Sequence, residues 1–267
     1  MAARLSRGWR IVRTGSSFAF FFGGGAVLAV ALAVARRVTS DPAGFDLRAQ
    51  RWIARGYGLF MGYMRAIQVC SIRFEGAERL AGAGPLVVVA NHPTLIDTPL
   101  LGACMPQVDC IANPTWADAP LLGTAIAAAN YVRNDAGAEA IDEAAARLRA
   151  GRRLLVFAEG TRTPEGATLG PLRRGAAHIA LRAGVPILPV AITCEPRTLM
   201  KGHPWYAVPD RPFVVTVRVL EPFEPKDVLL GGESDSIAAR KVTSAVRERL
   251  LAVLAPGGAA SGPGADA

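Results

Sequence analysis

Lysine is scarce in this sequence. Lys201, Lys226 and Lys241 are the only lysines among 30 basic residues, and the rest are arginine. The bias suits bidentate phosphate binding by planar guanidinium groups, although a GC-rich coding sequence produces the same bias. Paired cysteine motifs are missing too. Cys70, Cys104, Cys110 and Cys194 show neither CxxC nor metal-finger spacing, so reduced, buried thiols are expected. No stretch interleaves aromatic with basic residues, and the basic residues are spread along the chain, so no nucleic-acid partner is expected. There is no Gly-x-Ser-x-Gly elbow, no cysteine next to a histidine, and no internal repeat.

What is present is apolar and basic. The 267 residues suffice for one large α/β domain plus an anchoring segment. Hydrophobic residues make up 51% and mean hydropathy is +0.27, high for a soluble enzyme and low for a multi-span transporter. The net charge of +8 favours anionic partners such as phosphorylated substrates or acidic headgroups.

Thr14 to Ala35 is a run of 22 residues without a charge, bracketed by Arg13 and Arg36. Its apolar part, from Phe18, would reach roughly 27 Å as a helix, near the hydrocarbon thickness of about 30 Å. Gly23, Gly24 and Gly25 weaken it by up to about 1 kcal/mol each in water. A secretory signal, a buried helix and a membrane anchor all fit the run, and near-spanning length favours the anchor. Phe45 to Val69 reads as an amphipathic helix. Trp52, Gly56, Leu59, Phe60, Tyr63, Met64 and Ile67 recur at helical spacing, with Arg48, Arg51, Arg55 and Arg65 between them. Both an interfacial helix and a core-facing one match that pattern.

From Cys70 onward, short β-rich runs alternate with helical stretches. Strands are expected at Ser71–Glu75, Leu86–Ala90, Val108–Ala112, Leu154–Ala158, Ile187–Thr193 and Phe213–Leu220. Helices are expected at Thr98–Cys104, Ala119–Ala129, Ala138–Ala150, Gly175–Ala183 and Ser236–Leu254. Continuous apolar strands followed by helices predict an α/β fold with a mainly parallel sheet flanked by helices. The expected organisation is a basic segment and anchor over 1–40, an amphipathic helix over 41–70, a catalytic domain over 71–254 and a disordered tail over 255–267.

Two strand ends carry chemistry-bearing residues. Asn91-His92-Pro93-Thr94-Leu95-Ile96-Asp97 follows the Leu86–Ala90 strand, where open α/β sheets place ligand crevices. A turn would let Asp97 accept from one ring nitrogen of His92 and support the imidazolium formed when the other takes a proton. Neither His178 nor His203 has an acidic residue five positions on. A histidine closing a strand and an aspartate N-capping the next helix fit the same spacing. Phe157-Ala158-Glu159-Gly160-Thr161-Arg162 ends a second strand. There a glycine permits close backbone approach, and a hydroxyl and a guanidinium suit a phosphate. Arg173-Arg174-Gly175 opens a helix whose free N–H groups would add to an anion site.

In this order the blocks resemble the glycerolipid acyltransferase superfamily, in particular its lysophosphatidate acyltransferases. The Asn-His-x-Ser-x-x-Asp block is matched by Asn91 to Asp97 with Thr94 for serine. Phe-Pro-Glu-Gly-Thr-Arg is matched by Phe157 to Arg162 with Ala158 for proline. Arg133 sits at the end of a second block, and Val185 to Val190 match the apolar Val-Pro-Ile-x-Pro-Val strand. The resemblance implies direct transfer of a fatty acyl group from acyl-CoA or acyl-carrier protein to a lipid acceptor, without an acyl-enzyme. His92 would be the base and Asp97 its orienting carboxylate. Arg133, Glu159, Gly160, Thr161 and Arg162 would hold the acceptor, with Glu159 orienting an arginine or a backbone group. Pro186 would shape the acyl site. No metal and no cofactor beyond the acyl donor is implied. The expected place is the bacterial inner (plasma) membrane, with the catalytic domain on its cytoplasmic side. The competing readings are an acyltransferase for another hydroxylated lipid, a membrane-bound thioesterase or hydrolase, and a non-catalytic lipid-binding protein.

Overall fold

The computed structural model describes the backbone of residues 2–82, 84–135 and 137–255, and side chains from residue 7 onward. Except for Ala255, the tail expected to be disordered lies outside these residues. The centre of the fold is β2 (Val87–Ala90), whose four residues are all buried. Val88 and Ala90 face one core, while Val87 and Val89 face another on the opposite side of the sheet. Period-two alternation with no polar member is what a strand covered on both faces requires.

Around β2 are β1 (Cys70–Glu75), β3 (Asp109–Ala112), β4 (Val132–Arg133), β5 (Leu154–Phe157), β6 (Ile187–Glu195) and β7 (Phe213–Val219). The seven strands lie in the order β1-β7-β6-β2-β5-β3-β4. From β6 to β4 all pairs are parallel, as expected, whereas β7 runs antiparallel to β6 and carries β1 parallel to itself. The carboxyl ends of β2, β5 and β6 therefore share one sheet edge with the amino ends of β1 and β7. The two-residue β4 is too short for a periodic signal and was not expected from the sequence.

One face is covered by α1 (Ala2–Val38), α2 (Phe45–Ala66) and α3 (Asp97–Cys104), together with α4 (Pro114–Ala117) and α5 (Leu122–Ala128). The other carries α6 (Ala138–Arg149), α7 (Gly175–Ala183) and α8 (Asp235–Leu254). The helix expected over 119–129 is the shorter α5, and the short α4 before it was not expected. Asn113 caps α4 by accepting from the Thr115 N–H, and Gly123 opens α5.

Helix α1 is long and apolar enough to cross a membrane by length and composition. Only 11% of its most apolar window is buried, so it is not the core helix of a soluble domain. It nevertheless packs against α2 and α5. Leu32, 1% exposed, meets Phe45, Ala49, Ile53, Ala128 and Ala129. Helix α2 buries Phe45, Ala49, Ile53, Ala54, Phe60, Met61 and Met64, a stripe that shares only Phe60 and Met64 with the expected apolar face. Trp52 and Leu59, placed on that face by spacing, point outward at 39% and 69% exposure. The cause is tertiary: α2 lies between α1 and α3, so its burial is set by two neighbours rather than one.

Candidate active site

Beyond Ala90, β2 can no longer pair through its backbone in register, and Asn91 continues the ladder with its side chain. Its amide donates to the Ile192 carbonyl (2.9 Å) and accepts from the Ile192 N–H (2.7 Å). The turn after it delivers His92 to the carboxyl edge. The Nδ1–H of His92 donates to Asp97 Oδ2 at 2.8 Å. That tautomer follows because an ionised carboxylate only accepts. Asp97 is fully buried and also accepts from the Thr94 N–H (2.7 Å) and the Thr94 hydroxyl (2.6 Å). It therefore does not N-cap α3 as the alternative sequence reading had it: the cap residue is Ile96, and Asp97 points back to hold the histidine. The spacing Thr94-x-x-Asp97 is the signal that could have identified Thr94, since it matches a reciprocal capping pattern.

The imidazole stacks on Phe157, with ring centres 4.3 Å apart, and its Nε2 has no partner among the described residues. A histidine held at Nδ1 by a carboxylate, with Nε2 open, is built to accept a proton from a ligand hydroxyl.

The second block meets the first through Glu159, only 4% exposed. Its Oε1 accepts from the His92 backbone N–H (2.9 Å) and the Thr163 hydroxyl (2.7 Å), and its Oε2 from the Gly170 N–H (2.8 Å). A Cβ on Gly170 would strike this carboxylate. Glu159 thus orients backbone groups, one of the two roles expected, and not an arginine. The Thr163 N–H also donates to the His92 carbonyl at 2.7 Å, so both backbone polar groups of His92 are fixed. Gly160 has φ +67°, a left-handed turn that lets the chain leave β5 sharply.

Arg162 is half-buried, and its Nη1 donates to the Leu199 carbonyl at 2.9 Å. Burial lowers its pKa, while the nearby charge of Asp97 acts the opposite way. Its remaining N–H groups have no hydrogen-bond partner among the described residues. Thr161 is exposed and accepts from Lys201 Nζ at 2.9 Å. Neither Leu199 nor Lys201 was assigned a role from the sequence.

Two expected site residues are placed differently. Arg133 lies at the end of β4, and its guanidinium is occupied by Asp118 (3.0 Å) and Asp135 (2.8 Å), which raise its pKa. Both pairs are solvent-exposed, so they orient the guanidinium without burying it. Pro186 precedes β6, and its carbonyl accepts from the Val87 N–H at the amino end of the strands. That is the sheet end opposite His92, roughly 20 Å away along extended chain at about 3.3 Å per residue. Pro186 therefore shapes the strand start rather than the surroundings of His92.

The acyltransferase family model matches residues 71–193, which hold both blocks and the sheet edge that joins them. The 1-acyl-sn-glycerol-3-phosphate acyltransferase alpha of Homo sapiens is 30% identical over 205 residues, 73% of this chain and 66% of that protein. By both comparisons the chain is similar to acyltransferases of the glycerolipid type. A putative 1-acyl-sn-glycerol-3-phosphate acyltransferase of Caenorhabditis elegans is 29% identical over 172 residues, covering 60% of this chain and 58% of its own length. The chain thus spans less than two thirds of these curated relatives. The crystal structure of the 1-acyl-sn-glycerophosphate acyltransferase of Thermotoga maritima shares the fold. It has a TM-score of 0.66 and 24% identity over 92% of this chain and all of that one. The matched span contains the His92–Asp97 pair and the turn from Glu159 to Arg162, joined through Glu159.

Proposed function

We propose that this protein is a membrane-associated O-acyltransferase that moves a fatty acyl group from acyl-CoA or acyl-carrier protein to the hydroxyl of lysophosphatidate or a similar lysophospholipid. The observation that carries the proposal is the buried Asp97 on His92 Nδ1, with Nε2 open beside a half-buried arginine. Nε2 takes the proton of the acceptor hydroxyl as its oxygen attacks the thioester carbonyl. The tetrahedral intermediate collapses with loss of the thiolate, and the imidazolium returns the proton to that sulfur. Asp97 supports the imidazolium between the two transfers. Arg162 and Thr161 hold the acceptor's anionic headgroup. The apolar exposed face of α1, with Val27, Val30 and Val34, lies against lipid, which is where a lysolipid arrives. The substrate names come from the relatives, whose titles specify 1-acylglycerol phosphates.

The test is an acceptor screen with purified full-length protein, labelled acyl-CoA and acyl-carrier protein, and products identified by mass. Acylated lysophosphatidate is the expected product. Free fatty acid as the sole product would replace transfer with hydrolysis.

A further inference from the structure

The connection between β6 and β7, residues 196–212, contains no helix or strand and crosses the same sheet edge as His92. It is tied to both blocks by one unusual residue. Leu199 has φ +55°, a left-handed conformation that a branched side chain disfavours. The turn aims its carbonyl inward, where it accepts from the Leu95 N–H (3.2 Å) of the first block and from Arg162 Nη1 (2.9 Å) of the second. Thr198, Leu199 and Met200 are buried, and the chain then emerges at Lys201, whose ammonium donates to the Thr161 hydroxyl. On either side of this turn, Arg197 donates to the Ala167 carbonyl (2.8 Å) and His203 Nε2 lies 3.2 Å from Glu165. Trp205 rests on α1 beside Phe18, with ring centres 5.9 Å apart, and 3.1 Å from where a Gly15 Cβ would sit.

We propose that Lys201 is a second cation of the acceptor site, acting with Arg162 to select an acceptor carrying a phosphate monoester over one with an uncharged headgroup. The inference rests on the acceptor reading given above. Three observations support it. Lys201 and Arg162 reach adjacent positions of one loop, one through the Thr161 hydroxyl and the other from the buried side. Among the described residues neither is matched with a carboxylate in an ion pair, whereas Arg133 is held by Asp118 and Asp135 and His203 faces Glu165. The Leu199 carbonyl holds Arg162 directly, and the same buried turn leads the chain out to Lys201 on the Thr161 hydroxyl. An ammonium on a neutral hydroxyl keeps its charge and its remaining N–H groups, and a phosphate bridging it to Arg162 would offset the desolvation of the guanidinium. Trp205, in the same connection as Lys201, rests on the apolar helix α1, which suits a ligand with a charged head and a hydrocarbon tail.

The experiment measures binding of dodecyl phosphate to the detergent-solubilised full chain by calorimetry, with no acyl donor present. Lysophosphatidate transfer is assayed on the same preparations. Lys201→Ala should raise the Kd for dodecyl phosphate roughly tenfold, the size of one partly exposed charge-assisted contact. Lys201→Arg should restore most of it, and dodecanol binding should not distinguish the variants. In transfer, the loss should appear in KM for lysophosphatidate rather than kcat. An unchanged Kd in Lys201→Ala, equal loss for dodecyl phosphate and dodecanol, or no dodecyl phosphate binding by the unaltered protein overturns the proposal. Lysine-dependent binding without acylation of lysophosphatidate would leave the anion site standing and remove the acceptor reading instead.

Discussion

One ring nitrogen of His92 is open among the described residues, and the surrounding groups hold the rest of the residue. Asp97 fixes Nδ1, Phe157 stacks on the ring, and Glu159 and Thr163 clamp the backbone. His92→Ala removes the base together with the donor to Asp97 and the Phe157 stack, so acyl transfer should fall by about 10²–10⁴-fold, with a stability cost of up to about 1–3 kcal/mol. Single-turnover assays alongside thermal denaturation check this, and near-normal transfer would exclude His92 as the base. Glu159 is different in kind, since three groups donate to a carboxylate that accepts at both oxygens. Glu159→Gln places an amide hydrogen against one of these donors. It should cost about 1–3 kcal/mol of stability and lower transfer through the displaced His92 loop. The two substitutions are thus separated by transfer, which His92→Ala removes at its base and Glu159→Gln lowers only through the displaced loop. The cysteines stand outside this chemistry. Burial pushes the Cys70 thiol up to about 11 and the Cys110 and Cys194 thiols up to about 12, so none of these three is a thiolate near neutrality.

At the scale of elements, α1 combines two properties that the sequence presents as alternatives. Its exposed side is apolar enough for lipid, and its packed side is part of the fold. Leu32→Ala should therefore cost roughly 2–5 kcal/mol, as a core truncation does, and lower the melting temperature of protein in detergent. A merely tethered anchor would show no such loss. For the same reason, deleting residues 1–37 should do more than release the protein from membranes. It uncovers Phe45, Ala49 and Ile53, and the truncated chain should lose thermal stability even with α2 retained. Helix α2 shows why the face could not be read from spacing. Phe60 and Met64 belong to both the expected and the observed stripes, while Trp52 and Leu59 satisfy the period but find no partner. Helical period tells that a side is apolar. Which apolar residues are covered depends on helices distant in sequence.

For the whole molecule, the net charge of +8 and the apolar helix act together. Binding to vesicles containing anionic lipid should exceed binding to zwitterionic ones. The difference should shrink as salt rises from about 0.1 M, where screening acts over about 10 Å, to about 1 M, where it acts over about 3 Å. Co-sedimentation at the two ionic strengths measures this. Binding that is indifferent to lipid charge would assign membrane contact to the apolar surface alone.

The sequence by itself determined the parallel core and the two strand-end blocks. An unbroken apolar strand such as Val87–Ala90 declares burial on both faces, and a His-Asp pair five residues apart closes through one local turn. Both are short-range facts, settled by backbone geometry and period. The antiparallel β7, the paired Arg133, the place of Pro186 at the far sheet end and the union of the blocks through Glu159 needed the tertiary structure. So did Leu199 and Lys201, which reach the site from a connection without periodicity. Each depends on residues between 15 and about 100 positions apart meeting across the sheet edge, and no local pattern records which partner a charged side chain will meet there.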